Sequence, residues 1–163
     1  MDAKQQACAH SSLSLACYFP PFIKALGAKA THAFEAIMDT YNPNKEVDSE
    51  SWLALDEDTR IDLVHDFHSG LDLELAEDGL QLHSSIHVIV ENQLAMEVDL
   101  LPETIAKLTR QGLNRHEAIH AIGAIITEDI FDVMKGNTEE FSPKKYRRKL
   151  QKLTAKRWLK GQY

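Results

Sequence analysis

The stretch NRHEAIHAIGAIITED, residues 114–129, decides how the rest of the chain is read. Its apolar residues recur at helical spacing and not in the alternation of a strand. Asn114 can cap the helix, and Glu117 three residues later completes a capping-box-like arrangement. The pattern runs to Lys135, and Gly136 is a natural stop. His116 and His120 lie four residues apart on this helix. They therefore share a face, about 6 Å apart along the axis.

A second helix is expected from Asp78 or Gly79 to about Met96, and it repeats the spacing with His83, His87 and Glu91. Each histidine pair could hold one metal ion through two imidazoles, and neighbouring helices of a bundle could bring the pairs together. Such donors suit zinc, iron, nickel or copper better than calcium or magnesium, with zinc or iron expected first. Glu91 would serve as a ligand or as the hydrogen-bond partner that orients one. His68, Glu117 and Glu128 are weaker candidates. His68 closes an earlier helix, where a cation at the negative end of the dipole explains it equally well. The competing reading is a set of core histidines satisfied by Glu91, Gln93 and Glu128 without any metal.

The remaining patterns are also helical. Asp56 can cap a helix ending at Gly70, after a short turn carrying Trp52. Pro102 opens a short helix ending at Gly112, and Pro143 opens a basic one with Tyr146, Leu150, Leu153 and Trp158 near one stripe. No segment alternates like a strand. The expected fold is all-α, a compact bundle of about five helices with short connections. Residues 1–47 read as an irregular N-terminal extension, 48–143 as the helical domain with the histidine pairs, and 144–163 as a basic amphipathic helix of that domain.

Charge is uneven along the chain. All 25 acidic residues precede residue 144 with 9 of the 18 Lys and Arg, so that part carries −16; the last twenty residues carry the other 9 and no acid. This tail either docks on its own acidic body or reaches for nucleic acid through Lys144, Lys145, Arg147 and Arg148, with Tyr146 and Trp158 available for stacking. No apolar run approaches the ~18 residues needed to span a membrane. The only cysteines are Cys8 and Cys17, so a disulfide framework is not indicated and a reducing, cytoplasmic setting is the default. SLSLAC, ending at Cys17, resembles a lipoprotein box only loosely.

His116 to His120 spells H-E-x-x-H, the zinc helix of metalloproteases, and the match extends to Gly123 as in metzincins. Their third histidine is here Ile126, and no strand is predicted to hold an extended substrate. Proteolysis is therefore not the expected activity. A metal-dependent hydrolase or redox enzyme using the same histidines is the first alternative to a binding role, and an interaction module with a nucleic-acid-binding tail is the second.

WLALDEDTRIDLV, the FH at 67–68, LHSSIHVIVENQLA, GLNRHEAIHAIG and KLTAKRW together resemble a bacterial domain-of-unknown-function family, number eighteen-forty-one, over about residues 51–160. The resemblance implies a small bacterial helical protein with no assigned activity. It also implies that His83, His87, His116 and His120 belong to the family pattern, together with Glu91, Asn92 and Gln93. In similar sequences the position of Glu117 can be aspartate, which counts against a protease general base. The resemblance names no substrate.

Overall fold

Most of the helices start where a side chain takes up a free backbone N–H. In the computed structural model, which describes residues 38–71, 75–137 and 140–163, seven helices follow one another. They are α1 (Ser49–Ala54), α2 (Glu57–Ser69), α3 (Glu77–Ala95), α4 (Leu101–Arg110), α5 (Arg115–Met134), α6 (Pro143–Lys152) and α7 (Ala155–Trp158). Asp48, Asp56, Asn114, Ser142 and Thr154 each accept a hydrogen bond from a backbone N–H of the first turn. Asn114 and Glu117 form the full reciprocal capping box. Gly112 and Gly136 adopt φ of 102° and 71°, the left-handed conformation expected of residues that end a helix.

The fold is all-α, with no strand among the described residues. The helices number seven instead of about five because α1 and α7 are single turns. The basic segment expected as one helix breaks in two. Leu153 is extended (φ −63°, ψ 129°) and fully buried, and Thr154 caps α7 by accepting from Arg157 N–H. The Thr in KLTAKRW was the available signal for this break.

α3 and α5 lie at the centre. α3 packs against α1, α2, α4 and α5, and α5 against α3, α4 and α6. Ala118, Ile119, Ala121, Ile122, Ile125 and Ile126 of α5 are at most 5% exposed, so this helix is apolar around most of its girth, as a central helix must be. With Leu101, Leu108, Tyr146, Leu150 and Leu153 they form the main core, each large side chain contributing about 1.5–3 kcal/mol. A second core holds Tyr41, Trp52, Val64, Val88 and Ala95 under α1 and α2. Tyr41 and Pro43 are buried, so part of the expected extension belongs to the folded body. YFPPF, Cys8, Cys17, His10 and His32 lie outside the described residues.

α3 and α5 cross closely at Gly123, where a Cβ would sit 2.7 Å from Ile86 Cγ2. Ile86 is β-branched and held to one rotamer in a helix, so it has little room to retreat. Gly123→Ala would gain about 1 kcal/mol of helix propensity and lose ~1–3 kcal/mol to overlap. We expect a net loss of about 1 kcal/mol in urea unfolding, recovered when Ile86→Ala removes the opposing methyl. A single variant more stable than wild type would show that the crossing is not tight.

The basic tail docks on its own body. Tyr146, Leu150 and Leu153 are fully buried, and the Tyr146 hydroxyl donates to Gln93 Oε1 (2.8 Å). Lys145 pairs with Asp132 (2.8 Å), Arg147 with Asp99, and Lys149 with Glu128 and Asp129 (2.8 and 2.6 Å). Of the four candidate nucleic-acid contacts, Lys145 and Arg147 are thus committed to carboxylates of the body, while Lys144 and Arg148 point to solvent.

Candidate metal centre

Three helices aim imidazoles at one point. His68 comes from the last turn of α2, His83 and His87 from successive turns of α3, and His116 and His120 from the first two turns of α5. One ring nitrogen of each lies within 4.8 Å of one from every other. Ring centroids are 4.7 Å apart within the α3 pair and 4.3 Å within the α5 pair. Between the pairs, His83–His120, His87–His116 and His87–His120 are 4.9–5.1 Å apart, and His68 stands 4.5–5.1 Å from His83, His87 and His116. The cross-helix rings are inclined by 64–85°, so they converge edgewise and do not stack.

The four histidines singled out from spacing are therefore together, and His68 joins them as a full member. His65, three residues earlier, faces away and pairs with Glu77 (3.0 Å).

Hydrogen bonds on the outer side of two rings determine which nitrogen is offered inward. His68 Nδ1–H donates to Val64 O (2.7 Å), leaving Nε2 as a bare lone pair. Tyr41 OH donates to Glu91 Oε1 (2.8 Å), so its oxygen accepts from His87 Nδ1–H (3.3 Å), and His87 Nε2 is likewise bare. Burial first, then the Glu91 charge, pushes the Tyr41 phenol far above its usual pKa and keeps this donor protonated.

The carboxylate at the end of this chain is itself clamped. Arg115 Nη1 and Nη2 donate to Glu91 Oε1 and Oε2 at 2.7 Å each, and Nη1 also donates to Pro43 O (2.9 Å). Glu91 is fully buried, and both its oxygens are engaged. Of its two expected roles the structure favours the orienting one, and Glu91 is not among the ligand atoms that converge. Glu117 is committed to the capping box, and Glu128 to Lys149.

Sequence reasoning missed Tyr41 and Arg115. Tyr41 sits in YNPNKEVDSE, which reads as linker by composition. Arg115 adjoins His116 in NRHE, but nothing local says that it reaches back to α3.

His83 Nε2, His87 Nε2 and His120 Nε2 are buried and have no hydrogen-bond partner. Buried polar atoms in folded proteins are almost always satisfied, so three orphans at one point need an explanation. The partners that a metal-free reading would use are spent: Gln93 on Tyr146, Glu91 on Arg115 and Tyr41, Glu128 on Lys149. His68 Nε2 and His116 Nε2 are 3.1 Å apart. Two imidazole nitrogens on one ion, each at about 2.0–2.1 Å, stand roughly 3–3.4 Å apart. That pair has the spacing of two donors to one ion, and the five histidines together could hold a metal ion.

Electrostatics agree. Burial, followed by the charges of neighbouring histidines, lowers His83, His116 and His120 from 6.5 to about 4, and depresses His68 and His87 as well. The rings are therefore neutral near pH 7 and their lone pairs free. In metal-free protein the unfolded chain binds protons at 6.5 while the folded one does so only near 4. Stability is then complete above 6.5 and falls as the pH drops toward about 4. Each ring removes up to about 1.4 kcal/mol per pH unit, and the partial exposure of three rings screens this, so we expect a loss of ~3 kcal/mol in all. Urea melts in chelator across this range check it, and an unchanged midpoint would mean that the folded rings take up protons as readily as the unfolded ones.

Among the described residues no helix is long and apolar enough to cross a membrane. Fold and site together define the class: an all-α protein with a five-histidine cluster between three helices. No family model matches the chain, and neither a curated protein nor a solved structure does.

Proposed function

We propose that this protein binds one transition-metal ion through His68, His83, His87, His116 and His120. The observation that carries the proposal is the set of three buried, unpartnered Nε2 atoms on rings converging from two helices. A dinuclear centre is disfavoured, because metals ~3.5–4 Å apart spread their outer ligands beyond about 6 Å. Here the ligand atoms lie within 4.8 Å and include no carboxylate oxygen. Zinc and iron remain the first candidates. Five nitrogen donors exceed the four that zinc usually takes, which favours ferrous iron.

The H-E-x-x-H match does not support peptide hydrolysis. Glu117, the would-be general base, accepts the Asn114 backbone N–H through Oε2 (3.0 Å) and serves its own helix. We further propose membership of family eighteen-forty-one. Its support is the set of motifs quoted above, among which FH, LHSSIHVIVENQLA and GLNRHEAIHAIG hold the five histidines of the cluster.

Elemental analysis of protein purified without chelator should find about one equivalent of metal per chain. His87→Ala combined with His120→Ala should reduce it below ~0.1 equivalent while far-UV circular dichroism stays helical. Equal metal in the variant, or none in wild type offered zinc and ferrous iron, would overturn the reading.

A further inference from the structure

We infer that the metal centre keeps one exchangeable coordination position and that this position takes a small monoanion. The inference rests on the metal-binding reading above and extends it to the class of ligand. Donor number comes first. Five nitrogens that all lie within 4.8 Å of one another come within about 0.6 Å of the ~4.2 Å that separates opposite ligands on a single ion, so small rotations of the rings gather them into one coordination sphere. An octahedral ion has six positions, and among the described residues no sixth His, Cys, Asp or Glu joins this group.

Charge identifies what fills it. All five donors are neutral imidazoles. Glu91 is neutralised by the two-point guanidinium contact of Arg115, and Glu117, whose charge reaches His120 as the smallest of the influences on that ring, is held in its capping box. A divalent ion in this pocket keeps its whole charge among buried nitrogens, a situation that costs several kcal/mol unless an anion offsets it. A neutral sixth ligand leaves that charge in place, and a monoanion halves it.

Access and size follow from the rings. His68 and His87 form the floor, each 1% exposed, while His83, His116 and His120 are partly exposed and form the rim. Rings whose centroids stand only 4.3–5.1 Å apart are in contact with one another, so a ligand that reaches the ion past them must be of few atoms and not a bulky organic acid.

The test uses the full-length chain, stripped of metal and loaded with one equivalent of cobalt(II), whose visible bands report ligand number. Titration with sodium azide at constant ionic strength should shift those bands saturably and add a charge-transfer band. His116→Asp places a negative donor in the shell, and its cobalt form should bind azide at least about tenfold more weakly. Cobalt bands that azide leaves unmoved, or that vanish as azide strips the metal, would overturn the open position while the metal site stands. Unchanged azide affinity in a cobalt-loaded His116→Asp would overturn the charge argument. No bound cobalt in wild type would overturn the metal reading itself, and this inference with it.

Discussion

Arg115→Met should lower the free energy of unfolding by about 3–5 kcal/mol, the cost of leaving a buried carboxylate without its partner. The Glu91 side chain is 0% exposed and that of Arg115 10%, so neither charge has water to fall back on. Both guanidinium nitrogens that bind Glu91 are lost at once, and Pro43 O loses its donor too. The double variant Arg115→Met, Glu91→Leu should recover much of the loss, because an apolar pair can replace a buried ion pair at little cost. The site should also respond. Glu91 holds Tyr41, and Tyr41 holds His87 in the tautomer that offers Nε2, so metal affinity should fall about 10–100-fold in Arg115→Met. Urea melts give the first number and a competitive chelator titration the second. A loss below ~1 kcal/mol would show that the pair behaves as an exposed one.

Metal loading should raise stability by a comparable amount. An ion that binds the folded chain and not the unfolded one stabilises by about 2.7 kcal/mol when free metal is a hundredfold above Kd, and by ~4 kcal/mol at a thousandfold. For a chain of this size that moves the melting temperature up by roughly 10 °C. The physical source is local. In metal-free protein His83, His87 and His120 each bury an inward nitrogen with nothing to bond, and that desolvation is recovered only when an acceptor-seeking ion arrives. Thermal melts of chelator-stripped protein with and without metal measure the shift. His87→Ala with His120→Ala should abolish it, and an equal melting temperature for both forms of wild type would contradict ion binding at this pocket.

How much was legible in the sequence varies with the residue. α5 was legible almost to the residue, because Asn114, Glu117 and Gly136 act within a turn of themselves. The histidine pairs were legible because a separation of four on a helix is a face. His68 was only half legible: it could reach the other histidines if α2 packed alongside, but its position at the end of α2 fitted a dipole effect just as well. Glu91 was read as a possible ligand because it continues the His83–His87 register, and the structure instead turns it onto Arg115. Tyr41 was lost to composition, since polar, Pro-containing surroundings resemble a linker whichever way the one aromatic ring points. The split between α6 and α7 had its signal in Thr154, outweighed by the apolar stripe around it.

The helices, their caps and which side chains share a face follow from contacts within about four residues, and so could be read along the chain. That α2, α3 and α5 rotate their histidines toward one point, that Glu91 serves Arg115, and that the basic tail closes on its own body emerged with the packing of helix on helix. Those outcomes depend on the roll and approach of each rod against its neighbours. Long-range packing sets both, as where Gly123 lets α5 close on Ile86, and residues spaced along one helix do not encode it.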